Sequence, residues 1–210
     1  MISRLNKVLC VALLMCASVV ANAEVQDWDL VEHNFSLGGG IFMESGSTSV
    51  NPGFVSRFSY GADFRFHKNW SVMPGITITS CKGDMSRWGA ISGVRDGFVT
   101  TEIFCQMRWH VYHGDNFEVA FSAGPEMSCM LMPAKYIVEY NPSAPLHGQR
   151  KYRILDLGLK PGIMFMHGEH WQWGIDLSVG LLNRLIQYPK HNITGDAYLS
   201  AVMLAIGYRF

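Results

Sequence analysis

Charge is scarce in this 210-residue chain. Asp, Glu, Lys and Arg make up 16% of it and hydrophobic residues 49%, whereas globular chains carry roughly a quarter charged residues. What charge there is cancels, with 17 Lys+Arg against 17 Asp+Glu. No basic excess is on offer to a phosphate backbone, so no nucleic-acid partner is expected. Long apolar runs are also missing. Beyond the first 23 residues no window approaches the ~18 consecutive apolar residues of a spanning helix, which excludes a helical membrane protein. CxxC, HExxH and GxSxG motifs are absent, removing the common signatures of redox, zinc-hydrolase and serine-hydrolase chemistry. No catalytic residue, cofactor or metal site is expected from what remains.

The first 23 residues are of a different kind. Arg4 and Lys7 precede the apolar run LCVALLMCASVVA, which closes on Ala21-Asn22-Ala23. A basic start, a short apolar stretch and an A-x-A site predict a cleaved signal peptide over 1–23, leaving one exported domain over 24–210. Subtracting Arg4 and Lys7 leaves 15 Lys+Arg against 17 Asp+Glu, a formal charge of −2. The cysteines that remain are Cys81, Cys105 and Cys129, an odd set for an oxidising compartment. They read as small buried or lipid-facing residues rather than as a disulfide framework.

What the chain does have is alternation. In GFVSRFSYGADFRFHKNW (53–70), Phe54, Phe58, Tyr60, Ala62, Phe64 and Phe66 share one face, while Arg57, Ser59, Gly61, Asp63 and Arg65 share the other. Period two means a β-strand with two unlike faces. The pattern predicts eight strands: about 34–44, the stretch just quoted, 70–80, 98–112, 117–130, 155–165, 171–181 and 197–210. Phe104 falls on a polar face as an exception. Connections alternate as well. Short polar turns at 67–69, 113–116 and 167–170 alternate with longer segments at about 45–52, 81–97, 131–151 and 185–196. An even strand number with tight turns at one rim and loops at the other predicts an all-β fold, a closed antiparallel eight-stranded transmembrane up-and-down β-barrel.

The polar face is then the inside. It carries Arg57, Asp63, Arg65, Glu102, Arg108, Glu118, Glu126, Asp156, Lys160, Asp176 and Arg209, five positive and six negative. Eight strands enclose a lumen that side chains fill, so these charges are expected to form a paired network in a closed polar interior. The inverse arrangement, a soluble barrel, would leave an exterior rich in Gly and Ser and almost without lysine. Aromatics gather at the short-turn rim: Phe66, Trp70, Trp109, Tyr112, Phe117, Phe165, Trp171, Tyr208 and Phe210. A belt at one level is what a membrane interface selects, here on the periplasmic side.

With its leading segment, eight strands and a terminal strand AYLSAVMLAIGYRF ending on Phe210, the chain resembles the small outer-membrane β-barrels of OmpX-like and OmpA type. The resemblance implies an outer-membrane location, lipid and lipopolysaccharide as surroundings, and a C-terminal strand read by the barrel-assembly machinery. Eight strands packed on their own side chains exclude an open porin and imply a monomer. The expected role is non-enzymatic: structural, or surface interaction through the loops, with Lys135, His147, Arg150 and Lys151 as candidate contacts in the longest connection and an unknown surface or secretion partner. Three alternatives remain: an accessory barrel for secretion or envelope biogenesis, a lipid A-modifying outer-membrane enzyme, and a soluble periplasmic ligand-binding barrel.

Overall fold

The structure, a computed structural model, describes residues 31–45, 50–82, 91–95, 98–132, 136–140, 153–183 and 198–210. The expected signal segment and the candidate contacts Lys135, His147, Arg150 and Lys151 lie outside the described residues.

Eight antiparallel strands form a closed ring. They are β1 (Val31–Ser45), β2 (Val50–His67), β3 (Trp70–Lys82), β4 (Phe98–His113), β5 (Phe117–Ala123 continued by Pro125–Met132), β6 (Leu155–Leu159 continued by Gly162–His167), β7 (Trp171–Gly180) and β8 (Tyr198–Arg209). Each pairs with its neighbours in sequence, and β8 returns to pair with β1. The turns of one rim are short. Lys68 and Asn69 join β2 to β3, and Gly168, at φ 59°, opens the turn from β6 to β7. That left-handed conformation suits glycine, which has no Cβ to clash.

β5 and β6 are each interrupted at adjacent heights. Gly124 breaks the first, and Lys160-Pro161 breaks the second. The ladder survives because the Lys160 amide donates to the Gly124 carbonyl at 2.8 Å, and the Leu177 amide donates to the Pro161 carbonyl at 2.8 Å. Proline has no N–H to give and sits where only its carbonyl is needed.

Burial follows the alternation and inverts the soluble pattern. Phe54, Leu204 and Leu37 are 71%, 67% and 61% exposed, while Arg108, Lys160 and Gln172 are buried. The lumen is nonetheless not polar throughout, which corrects one expectation. At its long-connection end Phe42, Val55, Cys81, Phe98, Met130, Ala201 and Met203 pack together inside the barrel. Near a mouth, inward positions need no polar partner to match, and apolar side chains exclude water there instead.

Two connections expected as loops contain strand. Ile91–Arg95 pairs with Tyr136–Tyr140, Arg95 standing opposite Tyr136. In the barrel wall Val99 stands opposite Met132. The offset is the same, and the two segments form a separate two-stranded ribbon in register with the β4–β5 ladder. A ladder needs only backbone partners, so the two-face alternation that marked the wall had no need to extend into it.

Candidate functional site: the lumen and the two rims

All eleven charged positions assigned to the polar face lie inside the barrel wall, nine of them buried and Arg65 and Glu118 half-buried beside the short turns. Antiparallel register places them in tiers. At the short-turn end Arg65 donates to Glu118 at 2.9 Å. His110 and His113 bring their Nδ1 atoms to the same carboxylate at 2.8 and 3.0 Å. On its other side the His110 ring shares a hydrogen bond with the Ser71 hydroxyl, Nε2 to Oγ 2.9 Å, and Arg65 lies 3.2 Å from its Nδ1. Arg209 donates to Glu32 at 2.9 Å and to the Gly168 carbonyl at 3.0 Å.

One tier further in, Arg108 meets Asp63 at 2.7 Å with both side chains almost wholly withdrawn from solvent. Above them Arg57 lies 3.0 Å from Glu102 and 3.6 Å from Asp176. Glu102 also accepts from Thr100 at 3.1 Å. Removing one partner of a buried pair strands the other, at a cost of about 3–5 kcal/mol.

Three further lumen charges make contacts of other kinds. The Lys160 ammonium lies 3.8 Å from the centre of the Phe104 ring, a cation–π contact suited to a cation cut off from water. This accounts for Phe104 on a polar face. Gly75 makes room for the ring, since a Cβ there would lie 2.3 Å from Phe104 Cζ. Glu126 receives the Ser178 hydroxyl. Asp156 accepts from the Leu182 amide at 3.2 Å.

Sequence reasoning missed Glu32, Ser71, His113 and Ser178. Glu32 was within reach. Carrying the inward positions of β1 back one step, from Asn34, lands on it. The others needed the register across strands.

Outside, the short-turn rim is ringed with aromatics in mutual contact. Trp70 stacks on Trp109 with centroids 6.0 Å apart. Phe117 stacks on Phe165, and Phe165 on Trp173 at 4.3 Å. Trp171 meets Tyr208 edge-on, and Phe210 stacks on Phe35. Phe66 and Tyr112 are exposed at the same level. Among the described residues no disulfide joins Cys81, Cys105 or Cys129, and no cluster of three or more His, Cys, Asp or Glu could hold a metal ion.

A ring of eight antiparallel strands, apolar outside and charged within, defines a class: the chain has the fold of the small eight-stranded outer-membrane barrels. Neisserial surface protein A, of solved structure, is similar at a TM-score of 0.52 and 12% identity, the match covering 85% of this chain and 97% of that one. The attachment invasion locus protein Ail of Yersinia pestis matches at 0.49 and 14% identity, over 85% of this chain and 98% of that one. No protein-family model matches the chain, and no curated protein matches it.

Proposed function

We propose that the protein is an integral outer-membrane barrel, non-enzymatic, that serves surface interaction from its long-connection rim. The observation that carries the membrane part is the inverted burial: a girdle of aromatics and an apolar wall face outward around buried ion pairs. A wall of this kind in water would be a contiguous apolar patch far beyond the few hundred Å² that soluble monomers expose. β7 has 10 residues, and a tilted strand crosses a bilayer in about 9–11. The resemblance in fold to Neisserial surface protein A supports the same reading.

The interaction part rests on the ribbon Ile91–Arg95/Tyr136–Tyr140, a two-stranded ladder formed within the long connections outside the barrel sheet. Exposed elements on rigid scaffolds are where recognition is usually built. Lys135, His147, Arg150 and Lys151 lie in the same connection as Tyr136–Tyr140, and the proposal gives them lipopolysaccharide phosphates or a surface protein as partner. Export by a cleaved signal peptide and delivery through the barrel-assembly machinery by the terminal strand complete it.

Fractionation tests the whole. The protein should be recovered with outer membranes and shift its gel mobility on boiling. Recovery in the periplasmic supernatant without detergent would refute the membrane reading. An altered lipid A mass profile on deleting the gene would refute the non-enzymatic one.

A further inference from the structure

Arg57 and Thr79 stand directly opposite one another on β2 and β3, and both face the lumen. Each is 4% exposed, so both are cut off from bulk solvent. A guanidinium carries five N–H donors in a fixed plane. One of them, on Nη2, goes to Glu102 at 3.0 Å. Nη1 stands 3.6 Å from Asp176 Oδ2, beyond hydrogen-bond reach. Nη1, Nε and the Thr79 hydroxyl are all buried with no protein partner. A polar gap of that width between buried groups is the kind that a water bridges.

Both residues line a cavity of about 20 Å³. A void needs roughly 10–15 Å³ on this measure to hold one water, so this one takes a single occupant of that size. Two further hydroxyls on its wall are already engaged. That of Thr100 donates to Glu102 at 3.1 Å, and that of Ser178 goes to Glu126. Much of the remaining wall is apolar, with Val55, Ala201 and Met203 belonging to the cluster at that end of the lumen. Charge narrows the occupant further. The guanidinium repels a cation, and the carboxylates of Glu102 and Asp176 on the same guanidinium repel an anion. What fits is small, neutral and able both to accept and to donate.

We propose that this cavity is a binding site for one ordered water, which accepts from Arg57 and shares a hydrogen bond with the Thr79 hydroxyl. The water completes the hydrogen bonding of the guanidinium on the side where Asp176 stands too far away to do so. It also links β2 to β3 through their side chains, inside the wall and independently of the backbone ladder. The inference requires only the closed barrel, so it stands or falls separately from the loop-borne role.

The test is water-selective nuclear Overhauser spectroscopy on the isotopically labelled barrel in detergent micelles. Cross-peaks from water to the Arg57 Nε–H proton and to the Thr79 methyl group are expected, with the sign that marks a long-lived water. Ala201→Val places two more methyl groups in the void and should displace the occupant. The Arg57 cross-peak is then lost, while the rest of the amide spectrum keeps its pattern. A peak relayed only by the exchanging Thr79 hydroxyl proton would survive Ala201→Val, and that result overturns the site. So does the absence of any water cross-peak at Arg57 in the native barrel, which would make the cavity dry. Should Ala201→Val fail to fold, Val55→Ile, which adds one methyl group at the same wall, takes its place with the same expected loss.

Discussion

Arg108 and Asp63 meet at 2.7 Å in the lumen, Nη1 to Oδ2, and two further polar atoms of the pair, Arg108 Nε and Asp63 Oδ1, are buried without partners. Such a pair is a poor source of stability but a severe liability when halved. Asp63→Leu or Arg108→Met alone should cost about 3–5 kcal/mol, whereas the double variant should recover most of the loss. Urea unfolding of the barrel in lipid vesicles measures all three. Additive losses in the double variant would show that the two residues are not coupled.

The outward wall makes a depth-dependent prediction. Leu204, midway along β8 and 67% exposed, should lose about 2–4 kcal/mol on substitution by Arg. Tyr112→Arg, beside a short turn, should cost about 0–1 kcal/mol, because a long basic side chain reaches the headgroups from there. Both are read from the same vesicle unfolding curves. Equal penalties would contradict a membrane-embedded wall.

Tryptophan fluorescence locates the girdle. Trp70, Trp109, Trp171 and Trp173 are all exposed on the outer face toward the short-turn rim. Lipids brominated near the headgroup should therefore quench more strongly than lipids brominated at the chain ends. A barrel dissolved in water with its aromatics elsewhere would show no depth preference.

The rim ribbon should be dispensable for the barrel. Removing Ile91–Arg95 and Tyr136–Tyr140 together takes away a ladder that pairs only with itself. The shortened protein should still show heat-modifiable gel mobility while losing cell-surface binding. Reversing the charges of Lys135, Arg150 and Lys151 should weaken binding to lipopolysaccharide and leave that mobility unchanged.

The wall was legible in the sequence because a membrane barrel obeys one rule at every position: apolar outward, polar or small inward. That rule alone orients Phe58, Arg57 and Asp63 without knowledge of any neighbour. What lay beyond it depended on register. Glu102 reaches Arg57 only because β3 between them fixes the offset of β2 and β4. Phe104 looked like a flaw until Gly75 and Lys160 were brought to it. The apolar cluster around Phe42 and Phe98, centroids 5.7 Å apart, was hidden for the same reason, since inward apolar residues near a mouth are indistinguishable in sequence from slips in the pattern. The ribbon escaped notice because nothing outside the wall requires two unlike faces.

The bond between Arg209 and Glu32 joins residues 177 apart in sequence. Every other seam of the ring is a hairpin, closed by the connection between consecutive strands. Only β1 and β8 must find each other across the whole chain, and reciprocal backbone bonds between His33 and Phe210 fasten the same place. The entropy of loop closure is therefore concentrated in one seam. Seven strand pairings can form locally as the sheet grows, and the eighth converts a curled sheet with two open edges into a tube with none.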